Sequence, residues 1–386
     1  MKIAILHRIP FDKIRYDKII DHLNNDVYYI CLQGNTDGLP KNAKIIELNN
    51  QKFDADELIT YYSDFFSSVD RVISRSEYDL LSAAKIRAHF TISGDHINDI
   101  LPLRNKWIMR SRCKQNNILQ PEFWHPLEFV QEMPRMGNFV LKPREEASSN
   151  GIVVGDFNTI KKAILKLDNS DAMLVEEFID GTIYHFDGWI HNGVPLAFVS
   201  SYYISNCLHF ADGGPLGSVQ TITEHEHVDL VINTLGALDY QNGSFHFEAI
   251  KDINGHFWFL EVAARVGGAG GAETFQLRTG LNLYHADLCY QLFGFPPEYT
   301  TLISDIYYGW FVYPAHKINF PYILNFSPQE WKGNLLYYQH HQNTLSQKSI
   351  SYSSTSSPLS GVVFGRQAEI VTTIESIFNI CKVERI

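Results

Sequence analysis

The sequence predicts a multidomain protein that combines α/β and α+β architecture. About the first hundred residues alternate short apolar runs with helical patterns, the chain after about residue 181 is rich in consecutive strand-like segments, and the end carries a strand, GVVFG, followed by a helix, IVTTIESIFNICK. Alternation is typical of parallel α/β units, whereas consecutive strands are typical of antiparallel sheets. We therefore expect an N-terminal α/β domain (1–102), a central domain (103–300, dividing near 180) and a small C-terminal α/β unit (301–386).

The N-terminal domain is predicted from its alternating pattern. The strands would be KIAIL, DVYYICL, AKIIEL and DRVIS, and the helices would be DKIIDHL and EYDLLSAAKIRAHF. A capping box formed by Ser74 and Glu77 would begin the second helix. The first strand-to-helix turn, LHRIPFD, lacks the glycines that bring a backbone close to a pyrophosphate, which disfavours a Rossmann dehydrogenase.

The central part of the chain changes character. We expect a polar helix at RNKWIMRSRCKQNN, strands at NFVLK, GIVVGD and AMLVEEFI, and a helix around TIKKAILKL. Strands in YHFDGWIHNGVPLAFVSSYYI, a hairpin in SFHFEAIKDINGHFWFLEVA, a glycine-rich loop and a helix in LNLYHADLCYQLFG follow. The Ser/Thr-rich segment SISYSSTSSPLS predicts a loop or short linker.

Composition narrows the functional classes. A net charge of −11 and a pI near 5.8 argue against a protein that mainly binds nucleic acid. The five cysteines form no CxxC pair, which indicates neither a zinc site nor a disulfide framework. Only a four-residue apolar run follows Lys2, too short for a signal peptide, and no apolar run of about eighteen residues occurs. We expect a soluble cytoplasmic protein with no membrane partner.

Two glutamates in the predicted hairpin are the strongest indication of a site. Asn254-Gly255 predicts a two-residue hairpin loop, and counting outward from it places Glu248 directly opposite Glu261. A four-residue loop would shift the pairs but keep both glutamates on one face, whereas a three-residue loop would not. Like charges facing each other about 4 Å apart at an effective dielectric near 20 repel by about 4 kcal/mol. A divalent cation between the carboxylates would compensate them, and oxygen-only ligation suits Mg²⁺ shared with phosphates.

The alternative is an exposed face on which both glutamates pair with lysine or arginine. The predicted register puts His246, Ile250 and Phe259 on the same face, and only Arg265 lies near in sequence. A mostly uncharged neighbourhood of this kind favours the metal-binding interpretation over the exposed one.

A phosphate partner requires cations nearby. Lys142 ends the strand NFVLK and precedes a loop of small residues, ASSNGIVV, which would let backbone N–H groups approach phosphates. The loop does not have the GxxxxGK[ST] pattern of a P-loop. Lys106 lies on the predicted polar helix. Each lysine, taken alone, is equally typical of an ordinary surface residue.

The order of these segments resembles the ATP-grasp superfamily, and within it the L-amino-acid ligase (carboxylate–amine ligase) branch. The segments that carry the resemblance are NKWIMR, VLKP with SSNG, VEEFIDGTIYHFDG, FHFE and FLEVAARVGG, and they cover most of the chain. The resemblance implies an ATP-grasp fold in which residues 1–102 form the pre-ATP-grasp domain and residues 301–386 complete the substrate site.

The resemblance also implies roles for individual residues. Glu248 and Glu261 would hold Mg²⁺, for which Mn²⁺ can substitute, and would act with Arg265 in catalysis. ATP would be bound by a larger set: Lys106, Lys142, Ser148, Ser149, Gly151, Glu176, Glu177, Phe178 and Ile179. The carboxylate substrate would meet Arg265 and the loop glycines Gly267, Gly268, Gly270 and Gly271.

Three positions depart from the family pattern. Ala263 replaces a frequent asparagine, which leaves open whether one or two Mg²⁺ ions bind. Ile183 stands where an acidic residue often reaches the ribose, so that His185 or Asp187 would substitute for it. Asn105 replaces an aspartate before the first phosphate lysine.

The implied reaction is ADP-forming. A carboxylate would attack the γ-phosphate of ATP to give an acylphosphate, and an amine would then displace phosphate to give a dipeptide or amide. The partners would be small-molecule carboxylates and amines, and a homodimer is common in the family. The alternatives are another acceptor (a carrier-protein amine or thiol, or a carboxylase-like reaction) and a nucleotide-binding module without catalysis. The segment 204–219 would be a closing loop or a plain flexible connection.

Overall fold

Four β-sheets organise the part of the chain that the structure describes, which comprises residues 1–50, 52–131, 136–296, 298, 305–341 and 357–386 of a computed structural model. The mixed α/β and α+β architecture expected from the sequence is confirmed. No helix among these residues has both the length and the apolar character needed to cross a membrane.

The N-terminal sheet is parallel, with strand order β3-β2-β1-β4, as the alternating pattern predicts. Its apolar strands are buried between helices, which is typical of parallel sheets. The elements are β1 (Lys2–His7), α1 (Phe11–Ile14), β2 (Asp26–Leu32), β3 (Lys44–Leu48), α2 (Ala55–Tyr61), α3 (Ser63–Phe66), β4 (Arg71–Ser74), α4 (Leu80–Phe90) and α5 (Ile97–Ile100).

Two local predictions in this domain are wrong. The segment DKIIDHL holds no α-helix, because the Asp21 carboxylate accepts hydrogen bonds from the backbone of Leu23 and Asn24 and turns the chain. The capping box is also absent: Ser74 ends β4, and Glu77 begins a short 3-10 helix with its side chain engaged in ion pairs described below.

A second, antiparallel sheet of four strands has the order β5-β8-β6-β7. Its helix α8 packs apolar residues such as Ile160 against Phe139 and Val175 of the sheet. The Asn105 side chain caps α6 by accepting hydrogen bonds from Trp107 and Ile108. The elements are α6 (Lys106–Gln115), β5 (Phe123–Trp124), α7 (Pro126–Gln131), β6 (Asn138–Pro143), β7 (Val153–Asp156), α8 (Phe157–Ile164) and β8 (Met173–Glu177).

The largest sheet has eight antiparallel strands in the order β13-β12-β9-β10-β11-β14-β17-β16. Its first part contains the predicted hairpin and two long strands before it. The elements are β9 (Thr182–His191), β10 (Val194–Ile204), α9 (Cys207–Ala211), β11 (Leu216–Thr221), α10 (His225–Ala237), β12 (Gly243–Lys251), β13 (Phe257–Ala263), α11 (Gly271–Thr279) and α12 (Leu283–Phe293).

Strands β14, β17 and β16 continue the same sheet, because β11 pairs with β14, β14 with β17 and β17 with β16. One sheet therefore crosses the predicted boundary at residue 300, and the domain division stays a prediction. Strands β15 and β18 pair with each other in a separate two-stranded sheet. Tyr313 is buried and its hydroxyl donates to backbone carbonyls, so it serves in packing. Residues 349–356 of the predicted Ser/Thr-rich loop lie outside the described residues. The elements are β14 (Tyr307–Val312), β15 (Tyr322–Leu324), β16 (Leu335–His340), β17 (Leu359–Gly365), α13 (Gln367–Ile380) and β18 (Val383–Arg385).

The hairpin of β12 and β13 confirms that Glu248 pairs with Glu261, but its loop and its strand register differ from the prediction. Its loop is longer than two residues, since Lys251 pairs with Phe257 and only Gly255 in the loop has positive φ. This loop shifts the register by one residue. A bulge between Phe259 and Glu261 shifts it back, so that Glu248 does lie opposite Glu261.

The same bulge corrects one further expectation. Phe259 pairs with Ala249 and lies in the core on the opposite face of the sheet from Glu248. His246, Ile250 and Glu248 share their face as predicted, because they alternate along β12.

A buried ion pair joins the N-terminal domain to the large sheet. Asp287 on α12 pairs with Arg75, which follows β4, and also accepts hydrogen bonds from Trp189 Nε1 at 2.9 Å and the Ser244 amide at 2.8 Å. Both charged side chains are buried, so each depends on the other to offset its lost hydration.

Replacing Asp287 by asparagine keeps the shape but leaves the Arg75 charge unpaired. We expect Asp287→Asn to lower the free energy of unfolding by about 3–5 kcal/mol, measured from the urea midpoint by circular dichroism. Asp229→Asn, on the exposed face of α10, is the control and should leave the midpoint unchanged. Equal midpoints for the two variants would contradict the proposed role of the ion pair.

Candidate functional site

Two cavities adjoin at the paired glutamates. We call the first, of about 200 Å³, the cleft; it lies between the antiparallel four-stranded sheet (β5–β8) and the β12–β13 hairpin of the large sheet. We call the second, of about 80 Å³, the inner cavity; it is lined by β9, β12 and the glycine-rich loop before α11. Five residues line both of them: Ser148, Ser149, Cys207, Glu248 and Glu261.

The predicted site residues divide between these cavities. The cleft is lined by Lys106, Lys142, Ser148, Ser149, Glu176, Glu177, Phe178 and Ile179, together with the two glutamates. The inner cavity is lined by Arg265, Gly267, Gly268, Gly271, His185 and Asp187. Gly151 is not among the lining residues of either cavity, and Gly270 lines a third, smaller one.

The residues expected to bind the ribose, His185 and Asp187, are separated from the cleft. Both side chains line the inner cavity. Ile183, which precedes His185 by two residues on the same face of β9, lines the cleft. Among the polar residues at this end of the cleft are Asp180 and Asn206, which the sequence analysis did not select.

Glu248 is held in a buried network. Its Oε1 accepts a hydrogen bond from Tyr203 at 2.7 Å and lies 3.4 Å from His246 Nε2. Asp187 contacts His246 at 2.8 Å and His185 at 2.6 Å. Burial opposes charge here, yet the charge of Asp187 raises the pKa of His246 to about 10. Burial also opposes ionisation of Glu248, but hydrogen bonding and the charge of His246 lower its pKa.

The oxygen chemistry of the two glutamates fits a hard divalent cation. The Tyr203 hydrogen bond and the His246 contact of Glu248 are both made at Oε1. Glu261 is paired through Oε2 with Lys106 Nζ at 3.3 Å. Two carboxylates that face each other offer the oxygen ligands that Mg²⁺ prefers.

Arg110 is a central residue that the sequence analysis missed. Its guanidinium binds Glu176 at 2.7 Å and donates to the carbonyl oxygens of Phe259 at 3.1 Å and Leu260 at 2.7 Å. These carbonyls belong to the bulge that sets Glu261 opposite Glu248. The signal was its spacing, since position 110 is four residues after Lys106 on α6 and therefore shares its helix face.

Glu176 is the shared anion of two cations. Lys142 Nζ lies 2.7 Å from Oε2 of its carboxylate, which Arg110 also contacts. Burial favours the neutral acid, but the charges of Arg110 and Lys142 lower the pKa of Glu176 to about 2. Burial lowers the pKa of Lys142 as well. With two cations around one carboxylate, the ionised form of Glu176 is the stable one.

Arg265 connects the inner cavity to the N-terminal domain. Its Nε donates to Glu77 at 2.6 Å, and Glu77 also pairs with Arg104. Burial opposes ionisation of Glu77, but Arg265 and Arg104 lower its pKa to about 2. The local pattern around Glu77 predicts a helix cap, and it does not distinguish that role from an ion pair with distant arginines.

The loops that contain Ser148, Ser149 and Gly267 line the inner cavity. Ser148 and Ser149 both have positive φ, a conformation that costs non-glycine residues energy and concentrates at functional sites. At Gly267 a Cβ would lie 2.5 Å from Asp187 Oδ1, so a larger residue there would clash with the buried network. Trp310, which also lines the cavity, was not anticipated.

The pH dependence of stability tests the Glu176 cluster. Because the pKa of Glu176 is about 2 when folded and near 4.5 when unfolded, its contribution is present above pH 4.5 and lost as the pH falls to about 2. We expect Glu176→Gln to be less stable by about 3 kcal/mol at pH 7, with the difference from wild type shrinking between pH 4.5 and 2 in urea unfolding. A difference that is constant with pH would contradict the assignment.

Comparison with known proteins gives a distant curated relative and a set of solved structures. No protein-family model matches the chain. Over 286 residues, 68% of this chain and 67% of the relative, it is 21% identical to the L-arginine-specific L-amino acid ligase of Bacillus subtilis.

The solved structures extend the similarity to the whole chain. The L-amino acid ligase of Bacillus licheniformis superposes with a TM-score of 0.73 at 18% identity, covering 100% of this chain and 98% of that one. The N5-carboxyaminoimidazole ribonucleotide synthetase of Thermotoga maritima has a TM-score of 0.65 at 15% identity, covering 100% and 99%. The biotin carboxylase domain of a Hydrogenobacter thermophilus carboxylase, solved with MgADP, has a TM-score of 0.65 at 12% identity, covering 99% and 90%.

These superpositions span nearly the whole length of the chain. The chain therefore has the fold of the ATP-grasp superfamily, and within that superfamily it resembles the L-amino-acid ligases.

Proposed function

We propose that the protein is an ATP-dependent, ADP-forming carboxylate–amine ligase. One observation carries the proposal: Glu248 and Glu261 lie opposite each other and line both cavities. A metal-bound phosphate at these carboxylates would stand where the cleft meets the inner cavity. A nucleotide in the cleft and a carboxylate substrate in the inner cavity would then meet at the phosphate that is transferred.

The lining of the cleft supports ATP as the nucleotide. The end of β8 and the residues after it, Glu177 to Ile179, would offer backbone groups to the adenine edge, while Ile183 and Leu260 supply apolar surface. Lys106 and Lys142 lie toward the paired glutamates, where they would neutralise phosphates. Asp180 is our candidate for the ribose hydroxyls, in place of the residues first expected.

The inner cavity supports an acyl substrate. Arg265 and the glycine loop lie beside the glutamates and suit an anionic carboxylate and the charge that develops on its phosphate. A carboxylate oxygen would attack the γ-phosphorus, and the bond to ADP would break. The amine nitrogen would then attack the acyl carbon, lose a proton and expel phosphate. Alignment and charge neutralisation are the contributions of the protein. Mg²⁺, when bound, supplies charge neutralisation at the phosphates.

The substrate class rests on the relatives. The ligase of Bacillus subtilis is described as specific for L-arginine, and the ligase of Bacillus licheniformis as an L-amino acid ligase. We accordingly propose an amino acid as the activated carboxylate and a second amino acid or amine as acceptor. Cytoplasmic location, small-molecule partners and a homodimer belong to the same proposal.

Release of ADP and phosphate tests the reaction. Wild-type protein with Mg·ATP should release both only when suitable amino acids are supplied, singly or in pairs, and mass spectrometry should detect the amide. Bicarbonate without an amine tests the carboxylase-like alternative. Tight Mg·ATP binding without release of ADP for any amino acid or pair tested would contradict the enzymatic proposal and favour a nucleotide-binding module.

The metal glutamates can be tested separately from folding. Glu248→Gln and Glu261→Gln should each reduce ADP release by about 100-fold or more and weaken Mn²⁺ binding, followed by electron paramagnetic resonance in the presence of ATP. The matched control is Glu128→Gln, an exposed residue of α7 in the four-stranded part of the molecule. Normal Mn²⁺ affinity in both site variants would show that the pair is not the metal site.

Arg110 should matter to the metal without touching it. Since its guanidinium holds the bulge before Glu261, Arg110→Lys should weaken Mn²⁺ binding by about 10–100-fold, as loss of supporting contacts does at other metal sites. Arg112→Lys, on the same helix but paired with Asp239 far from the cleft, should change nothing. Equal Mn²⁺ affinity in the two variants would exclude a role for Arg110 in positioning.

A further inference from the structure

The carboxylates around the inner cavity have partners. Four of them lie in or beside it, and each contacts a cation or hydrogen-bond donor: Asp187 with His185 and His246, Glu77 with Arg104 and Arg265, Glu248 with Tyr203 and His246, and Glu261 with Lys106. An amino-acid substrate brings an ammonium group as well as its carboxylate. Each of these four acids already has a partner within the chain.

Glu273 differs from the four. It lies in the first turn of α11, directly after the glycine-rich loop. Its Oε2 is a buried atom without a hydrogen-bond partner, and no cation of the described residues forms an ion pair with it. Lys13, which reaches this loop from the N-terminal domain, points to the Ala269 carbonyl at 3.5 Å instead. A buried carboxylate oxygen without a partner is costly.

The carboxylate lines a small side cavity of about 60 Å³ next to the inner cavity. Ala269 is a wall of both. The side cavity also has polar groups on the strands opposite α11, namely Tyr337, Gln339 and Ser360. Tyr337 and Glu273 both line this side cavity, so the ring and the carboxylate face the same space. An acid beside an aromatic ring suits a cation.

The position at the start of a helix does not account for these features. A glutamate in the first turn gains from the helix dipole, and that gain is available with the carboxylate fully in water. It explains neither the burial of Oε2 nor the cavity next to it. A cationic group in the side cavity would supply the missing partner.

We propose that Glu273 binds a cationic group of the substrate, an ammonium or guanidinium, in the side cavity beside the inner cavity. This inference rests on the proposed ligase function, because the cation is carried by the amino acid whose carboxylate lies near Arg265. The α-ammonium and a basic side chain share the same chemistry, and the choice of substrates separates them.

The experiment compares wild type with Glu273→Gln in steady-state ADP release. The substrates are L-arginine against its neutral analogue L-citrulline, L-lysine against L-norleucine, and the Nα-acetyl form of each. Where Glu273 binds the side chain, the variant should raise KM about tenfold or more for arginine and lysine only. Where it binds the α-ammonium, KM should rise for all four free amino acids and for none of the acetylated ones. In both cases kcat and the Kd of Mg·ATP should stay near wild type.

Controls separate the possible failures. Glu375→Gln, exposed on α13, should leave every KM unchanged, and the melting temperature shows whether Glu273→Gln is folded; Glu273→Ala provides a second variant. A wild type that releases no ADP with any amino acid would refute the ligase proposal itself. An active wild type with unchanged KM values in folded Glu273→Gln would overturn only the role of Glu273.

Discussion

The contacts of one buried guanidinium underlie the geometry of the site. Arg110 binds Glu176 on the four-stranded sheet and the bulge carbonyls of the large sheet, so it connects the two walls of the cleft. Carbonyls at a bulge lose their regular ladder partners and must find others when buried. The guanidinium of Arg110 donates hydrogen bonds to these carbonyls, and its charge is offset by Glu176. No other contact described here supports the bulge or the alignment of Glu248 with Glu261.

The site is built from charges that compensate one another inside the protein. Glu77 of the N-terminal domain pairs with Arg265, while Asp287 of helix α12 pairs with Arg75 of the N-terminal domain. Each pair is costly to bury and more costly to break, so the pairs specify how the domains fit together. The N-terminal domain thereby contributes to the orientation of Arg265 without lining the cleft.

The sequence predicted the pairing of the glutamates, but not the reason for it. The loop and the bulge at Leu260 each displace the register by one residue, and the two displacements cancel; no local signal reveals either. The separation of His185 and Asp187 from the cleft, where the ribose is expected, has a simpler reason. Along β9 each pair of residues advances about 6.6 Å, so Asp187 lies about 13 Å beyond Ile183 and in a different cavity. Contacts between distant segments, such as Arg110 with Phe259, are set by packing that a single sequence does not encode in any short pattern.

The pairing of Lys106 with Glu261 has a consequence for how ligands enter. A metal ion that takes the Glu261 carboxylate displaces the ammonium group from it, and the released lysine becomes available to an anion. An anion that takes the lysine first exposes the carboxylate to a metal in the same way. Cation and anion therefore favour each other thermodynamically, and by linkage the effect is equal in both directions. The ion pair of Lys106 with Glu261 is neutral in itself, and its two partners accept opposite charges together more readily than either one alone.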